Sequence, residues 1–307
     1  MNRRSLVTIL ICCTVLLAAV APPALAGEEP GAKSPGRTRS GQARKYVYLR
    51  LHGPMPERQP LLYVMPPKNL THRQILGLIE KAKSDKTVKG LFIHMGRPQV
   101  GWARAQEIRL ALHSCRMAGK RVVCYMEGGA NVEYYIASVA DRVGIAPTGS
   151  ILLIGLRAEV MFFKGLLDKL DIKANFVQVG KYKGADEPFT QTEMSDPFRK
   201  TVELMLDDLY GQIVSAIAKG RDMKAELVKA LIDRGPYTAT VAQEAGLVDD
   251  VVYYDEFIER LRAEAPTPLY VVRGYRRKKT KMPDPMQMLN LLKGMGAQQP
   301  QQMIPSG

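Results

Sequence analysis

Val88-Lys89-Gly90-Leu91-Phe92-Ile93-His94-Met95 reads as a buried strand, and what flanks it decides the fold class. Its apolar residues run almost continuously rather than alternating, as in parallel strands covered on both faces. Residues 101–118 follow as a helix closed by Gly119, and Arg121 to Met126 form the next strand. Strand, covering helix and strand of these lengths make a parallel crossover unit. On the N-terminal side lies Tyr46 to Leu51, a β-rich run closed by His52-Gly53-Pro54. Between the two strands, Thr71 to Ser84 is predicted as a helix, with Thr71 as its N-cap and Ile75, Leu76, Leu78 and Ile79 as its apolar stripe.

The alternation continues toward the C-terminus. The pattern predicts a helix over 131–140, short strands at 143–146 and 151–154, a helix near 161–170 and a strand at 175–179. A loop over 180–195 leads into a long helix at about 197–219. Helices over 224–233 and 239–245, a strand over 247–253 and a helix over 255–265 complete the series. The expectation is one α/β domain over 45–265, built from repeated strand–helix units whose largely parallel sheet is covered by helices.

With 46% hydrophobic and 24% charged residues in 307, the chain is neither fibrous nor wholly disordered. Residues 1–26 read as a signal peptide: Arg3 and Arg4, an apolar run over 6–21, then Ala24-Leu25-Ala26. Export to the periplasm is therefore expected. The run is short of the roughly 20 residues of a membrane span, and an uncleaved segment held at the inner membrane is the alternative. Residues 27–44 read as a flexible basic linker, and 266–307 as a basic tail rich in Pro, Gln and Met.

The net charge of +14 concentrates in these flanks, at Lys33, Arg37, Arg39, Arg44 and Lys45 and again at Arg273, Arg276, Arg277, Lys278, Lys279 and Lys281. In an exported protein an anionic membrane surface is the natural partner, with simple solubilisation as the plain alternative. Nucleic acid is not expected, because no aromatic interleaving accompanies the charge. Cys115 and Cys124 read as small buried residues, although an oxidising compartment permits a disulfide. The four histidines are scattered without ligand spacing, so neither a metal nor a cofactor is expected.

One loop carries chemistry: Val179-Gly180-Lys181-Tyr182-Lys183-Gly184-Ala185-Asp186-Glu187-Pro188-Phe189. A lysine there is by itself only a surface charge. Held in a closed, partly apolar pocket, its ammonium is disfavoured and it becomes a general base near neutral pH. Such a base activates a serine hydroxyl.

This loop, together with Lys81-Ala82-Lys83-Ser84-Asp85, Tyr134-Tyr135-Ile136-Ala137-Ser138 and Ala245-Gly246-Leu247-Val248-Asp249, resembles the signal peptide peptidase A family of serine peptidases. The resemblance covers about residues 45–265 and implies the crotonase/Clp-protease-like α/β fold. Long members carry two such domains, the first supplying a lysine in Tyr-Lys-x-x-x-x-Pro-Phe and the second a serine. This chain is most similar to the first. By that match Lys183 is the implied base, with Lys181 a poorer candidate.

Two departures accompany the match. The family's Ser-Gly-Gly-Tyr corresponds to Asn131-Val132-Glu133-Tyr134, so the nucleophile position holds Asn131. The oxyanion loop reads Met95 to Gly101, with Gln99 and Val100 where a glycine pair is expected and Pro98 lacking an N–H. Gly128-Gly129 reads as the strand-to-helix turn rather than a substitute. Ser138 and Ser150 are poor substitute nucleophiles. The implied function is proteolysis of short hydrophobic peptides at a membrane, with the serine on a partner chain in a homo- or hetero-oligomer. The alternatives are a noncatalytic scaffold or peptide-binding member, and, more weakly, acyl-thioester chemistry on the same fold.

Overall fold

Strand β1 (Arg44–Pro54) sets the pattern of the sheet, because its consecutive residues Tyr46 and Val47 are both buried and face opposite layers. The structure is a computed structural model that describes residues 44–58 and 70–275. The expected leader, almost all of the linker and the tail beyond Tyr275 lie outside the described residues. After β1 come α1 (His72–Ser84), β2 (Val88–Gln99), α2 (Trp102–Met117), β3 (Arg121–Met126), β4 (Gly129–Ala130) and α3 (Asn131–Ala137). Then follow β5 (Arg142–Ile145), β6 (Ser150–Leu152), α4 (Lys164–Lys169), α5 (Glu187–Thr190) and α6 (Asp196–Arg221). The described chain closes with α7 (Ala225–Arg234), β7 (Tyr237–Thr238), α8 (Ala239–Glu244), β8 (Asp250–Val251), α9 (Tyr254–Ala263) and β9 (Leu269–Val272).

Six strands form one sheet in the order β8-β5-β3-β2-β1-β9, and every neighbouring pair is parallel. The expected α/β architecture is what the described residues adopt. On one face Leu49, Leu51, Leu91, Ile93, Met95 and Val122 join Ile75, Ile79, Ile108 and Leu112 of α1 and α2 in the main core. On the other, Tyr46, Phe92, Val123 and Tyr125 pack with Phe257 and Leu261 of α9. Gly144 makes that second layer possible, since a Cβ there would stand 2.6 Å from the Phe257 ring. A smaller sheet, β4-β6-β7, sits at the start of α3, with β6 parallel to β4 and antiparallel to β7.

Local signals account for the helix starts. Thr71 caps α1 as expected: its hydroxyl accepts from the Gln74 N–H at 3.2 Å and Gln74 returns the bond to the Thr71 N–H at 3.0 Å. Ser195 caps α6 by accepting from the Phe198 N–H, with Pro197 in the first turn. No helix among the described residues is long and apolar enough to cross a membrane.

Three expectations change. β2 runs on through Gly96, Arg97 and Pro98 to Gln99, in register with Gly53 and Pro54 of β1. The stretch read as a loop is therefore strand, and only Val100 and Gly101 remain before α2. Residues 175–179 are not a strand: all five are exposed and no partner edge adjoins them among the described residues, so their β propensity has nothing to pair with. The sheet also gains β9 from beyond Ala265, lying parallel to Arg44–Val47.

Arg109 occupies the apolar stripe of α2 beside Ala105, Ile108 and Leu112. Its guanidinium donates to the Tyr135 carbonyl at 2.7 Å and the Ser138 hydroxyl at 2.8 Å at the end of α3, and to the Ala216 carbonyl of α6 at 2.5 Å. Burial lowers its pKa to about 10, which leaves it charged at neutral pH. One side chain thus ties three helices together. Replacing it by Met removes all three bonds and leaves the Tyr135 carbonyl only the Ser138 hydroxyl, and the expected loss is about 2–4 kcal/mol of stability in urea unfolding. Arg109→Lys should recover little, because one ammonium cannot reproduce the planar fork that spans both helices. A wild-type midpoint in either variant would contradict this.

Candidate active site

The N-terminus of α3, where the family resemblance locates its nucleophile, begins directly after β4 of the small sheet. Asn131 is half-buried there. Its amide nitrogen donates to the Gly155 carbonyl at 2.6 Å, and its amide oxygen accepts from the Ile154 N–H at 3.3 Å. The carboxamide therefore satisfies both main-chain groups of the segment that leaves β6, as a passing peptide unit would. A carboxamide is no nucleophile, and this one is already engaged on both sides.

A second substitution closes the same corner. The Glu133 carboxylate turns back to accept the Ala130 N–H at 3.0 Å, and its stem lies over Gly129, where a Cβ would meet it at 2.7 Å. Backbone N–H groups at such a turn stabilise an oxyanion only when they are open and no negative charge stands beside them. Here a carboxylate holds one of them. Sequence reasoning recorded the missing glycines but not this cap. The signal was present, because a Glu at the third position of a helix is a capping residue.

The other expected positions are not drawn into this corner. Gln99 is exposed and Val100 half-buried at the end of β2. Gln99 is the last residue of β2, paired with Pro54 of β1, and Val100 lies between that strand and α2. Ser138 is fully buried, donating to the Tyr135 carbonyl and accepting from Arg109, so it is unavailable for attack. Ser150 is exposed in β6. A cleft of about 520 Å³ lies beside the Asn131 partners, lined by Ile154, Gly155, Leu156, Tyr210, Asp207 and Asp233.

Lys183 lies on the expected loop, within a turn in which its N–H donates to the Gly180 carbonyl at 3.1 Å. Gly180 adopts φ +98°, a conformation that disfavours side chains. The Lys183 side chain is exposed, and its ammonium makes no hydrogen bond or ion pair among the described residues. Lys181 instead stands 5.3 Å from the centre of the Tyr182 ring. No described hydrogen bond, ion pair or ring contact joins Lys183 to Asn131. Among the described residues, no closed, partly apolar pocket that would make Lys183 a base forms around it.

The domain model of peptidase family S49 matches residues 114–267, which include both Asn131 and Lys183 and make up just over half of the sequence. The chain belongs to peptidase family S49. The signal peptide peptidase A resemblance stands with it, since relatives include one of Enterococcus faecium named "Putative signal peptide peptidase SppA", 26% identical over 194 residues and covering 63% of this chain and 56% of that one. The S49 chain is 28% identical over 182 residues to a protein of Arabidopsis thaliana named "Serine protease SPPA, chloroplastic", covering 59% of this chain and 27% of that one. It is 30% identical over 209 residues to Protease 4 of Haemophilus influenzae, covering 64% and 34% respectively. It thus spans between about a quarter and a third of the length of these last two relatives. A solved structure, a mutant of the 1510-N membrane-bound stomatin-specific protease, covers 76% of this chain at 13% identity with a TM-score of 0.46, too loose a superposition to carry weight.

Within this S49 chain, Asn131→Ala removes two hydrogen bonds and leaves their backbone partners to water or to the protein. A loss of about 1–2 kcal/mol is expected in thermal or urea unfolding, with faster amide exchange at Ile154. Unchanged stability and exchange would show that Asn131 does not hold the segment after β6.

Proposed function

We propose that this chain is the lysine-donating half of a Ser-Lys peptidase whose serine is carried by a homologous partner chain. The observation that carries the reading is the contrast between its two corners. The nucleophile corner is closed by the Asn131 amide and the Glu133 carboxylate, whereas Lys183 is presented outward with no partner of its own among the described residues. An exposed lysine is a poor base until something encloses it. A partner chain supplies both the enclosure and the hydroxyl.

The surface around the loop supports such docking. Met161, Leu166, Leu170, Ile172, Phe176, Val177 and Val179 are all exposed, with Val177 and Val179 almost wholly so. Apolar exposure on this scale marks a surface that becomes buried in a complex, and we assign it to the serine-bearing chain. The substrates on this reading are short hydrophobic peptides released in or near a membrane. The place of action is the outer face of the inner membrane, with the basic flanks toward anionic lipid. A second reading, a noncatalytic peptide-binding or scaffold subunit, is favoured by the tight engagement of Asn131.

Reconstitution separates the two. The purified chain alone should not hydrolyse a short apolar fluorogenic peptide. Mixing with a serine-bearing homologue should restore turnover, and Lys183→Ala should reduce it by about 10²- to 10⁴-fold, the scale on which a positioned base acts. Turnover that survives the substitution would remove Lys183 from the chemistry. A stable pair that binds peptide without cleaving it would favour the scaffold reading.

A further inference from the structure

We infer that Glu187 is the positioning residue of the lysine loop, acting through Ser195 to hold Lys183 in its presenting geometry; this rests on the reading of Lys183 as the base. Glu187 is one of two acidic residues buried in the described chain. The other, Asp250, lies between Arg142 and Arg260. Glu187 has no cation beside it among the described residues. Burying a carboxylate that way is costly unless strong donors meet it.

Ser195 provides both donors. Its N–H reaches one Glu187 oxygen at 2.9 Å and its hydroxyl reaches the other at 2.6 Å. The Ser195 oxygen, now oriented, accepts from the Phe198 N–H at 3.3 Å and so starts α6. The Phe198 ring in turn covers Gly184, where a Cβ would stand 2.7 Å from it. The circuit closes through the Glu187 N–H, which donates to the Gly184 carbonyl at 3.3 Å. Gly184 is buried and directly follows Lys183.

Two further contacts hold the loop from its far side. The Phe163 N–H donates to the Pro188 carbonyl at 2.6 Å, and Phe189 stacks between Phe163 and Phe176, with both ring centroids 5.8 Å away. The short carboxylate–serine bridge fastens the loop to the first turn of a 26-residue helix, which Arg109 anchors in the core. Lys183 is exposed, yet the residue after it is pinned to the body of the protein. That combination suits a group which must be offered to another chain at fixed geometry without being sealed in its own.

The test uses the full chain with Glu187→Gln, Ser195→Ala and Ser195→Thr. Gln cannot accept from both Ser195 donors, Ala lacks the hydroxyl, and Thr keeps it. In the lone chain, amide exchange over 180–186 should quicken about tenfold or more in the first two variants, stay near wild type in Ser195→Thr, and remain unchanged in the central sheet. Unaltered exchange at 180–186 in both disruptive variants would overturn the inference, as would a global loss of protection that Thr does not rescue. In the pair reconstituted with a serine-bearing chain, Glu187→Gln and Ser195→Ala should lower kcat about tenfold while KM stays within about twofold. If Lys183→Ala abolishes turnover but these variants do not lower kcat, only the positioning role falls. If turnover survives Lys183→Ala, the split-enzyme reading falls and takes the positioning role with it.

Discussion

The buried guanidinium of Arg109 is the contact that ties together the helix starting at Asn131 and the helix that follows the lysine loop. It sits in the apolar stripe of α2 and donates to the end of α3 and to Ala216 near the C-terminal end of α6. The helix α3 begins at Asn131, and α6 begins just after the lysine loop. The helices that follow the two positions singled out by the family resemblance, Asn131 and Lys183, are thus tied to each other through one charged group, although no described contact joins the positions themselves. A guanidinium buried this deeply is tolerated only because three acceptors meet it. Gly220 keeps space there as well, since a Cβ on it would come within 2.0 Å of the Ser138 carbonyl.

Within that frame the two corners have been treated in opposite ways. At α3 every group that a nucleophilic site needs open is in use: the side chain at 131, the N–H of Ala130, and the main-chain groups of Ile154 and Gly155. At the loop, hydrogen bonds and ring stacking fix the backbone but, among the described residues, stop short of the Lys183 ammonium. The pattern suits a subunit that gives one group and withholds the other.

Much of this architecture was legible in the residues. The continuous apolar character of 88–95 and the capping signature at Thr71 led to the parallel sheet and its first helix, because local pattern and tertiary burial agree there. Lys183 and Asn131 stand out in the sequence only through the family resemblance, not through local pattern. Residues 175–179 misled, since Val177 and Val179 have strand propensity but no edge to pair with among the described residues. The extension of β2 through Pro98 was hidden for the opposite reason: proline argues against a strand interior, yet here it falls near the end of β2, opposite Gly53 of β1. Glu187 is not legible in the sequence, because a glutamate in a polar loop reads as solvated until Ser195 is seen against it.

The account stands or falls on where a serine-directed phosphonate reacts when this chain is combined with a serine-bearing homologue. Mass spectrometry of the labelled pair should locate the adduct on the partner chain alone, with labelling lost when Lys183 is replaced by Ala. An adduct on any serine of this chain, or labelling of the partner that ignores Lys183, would contradict it.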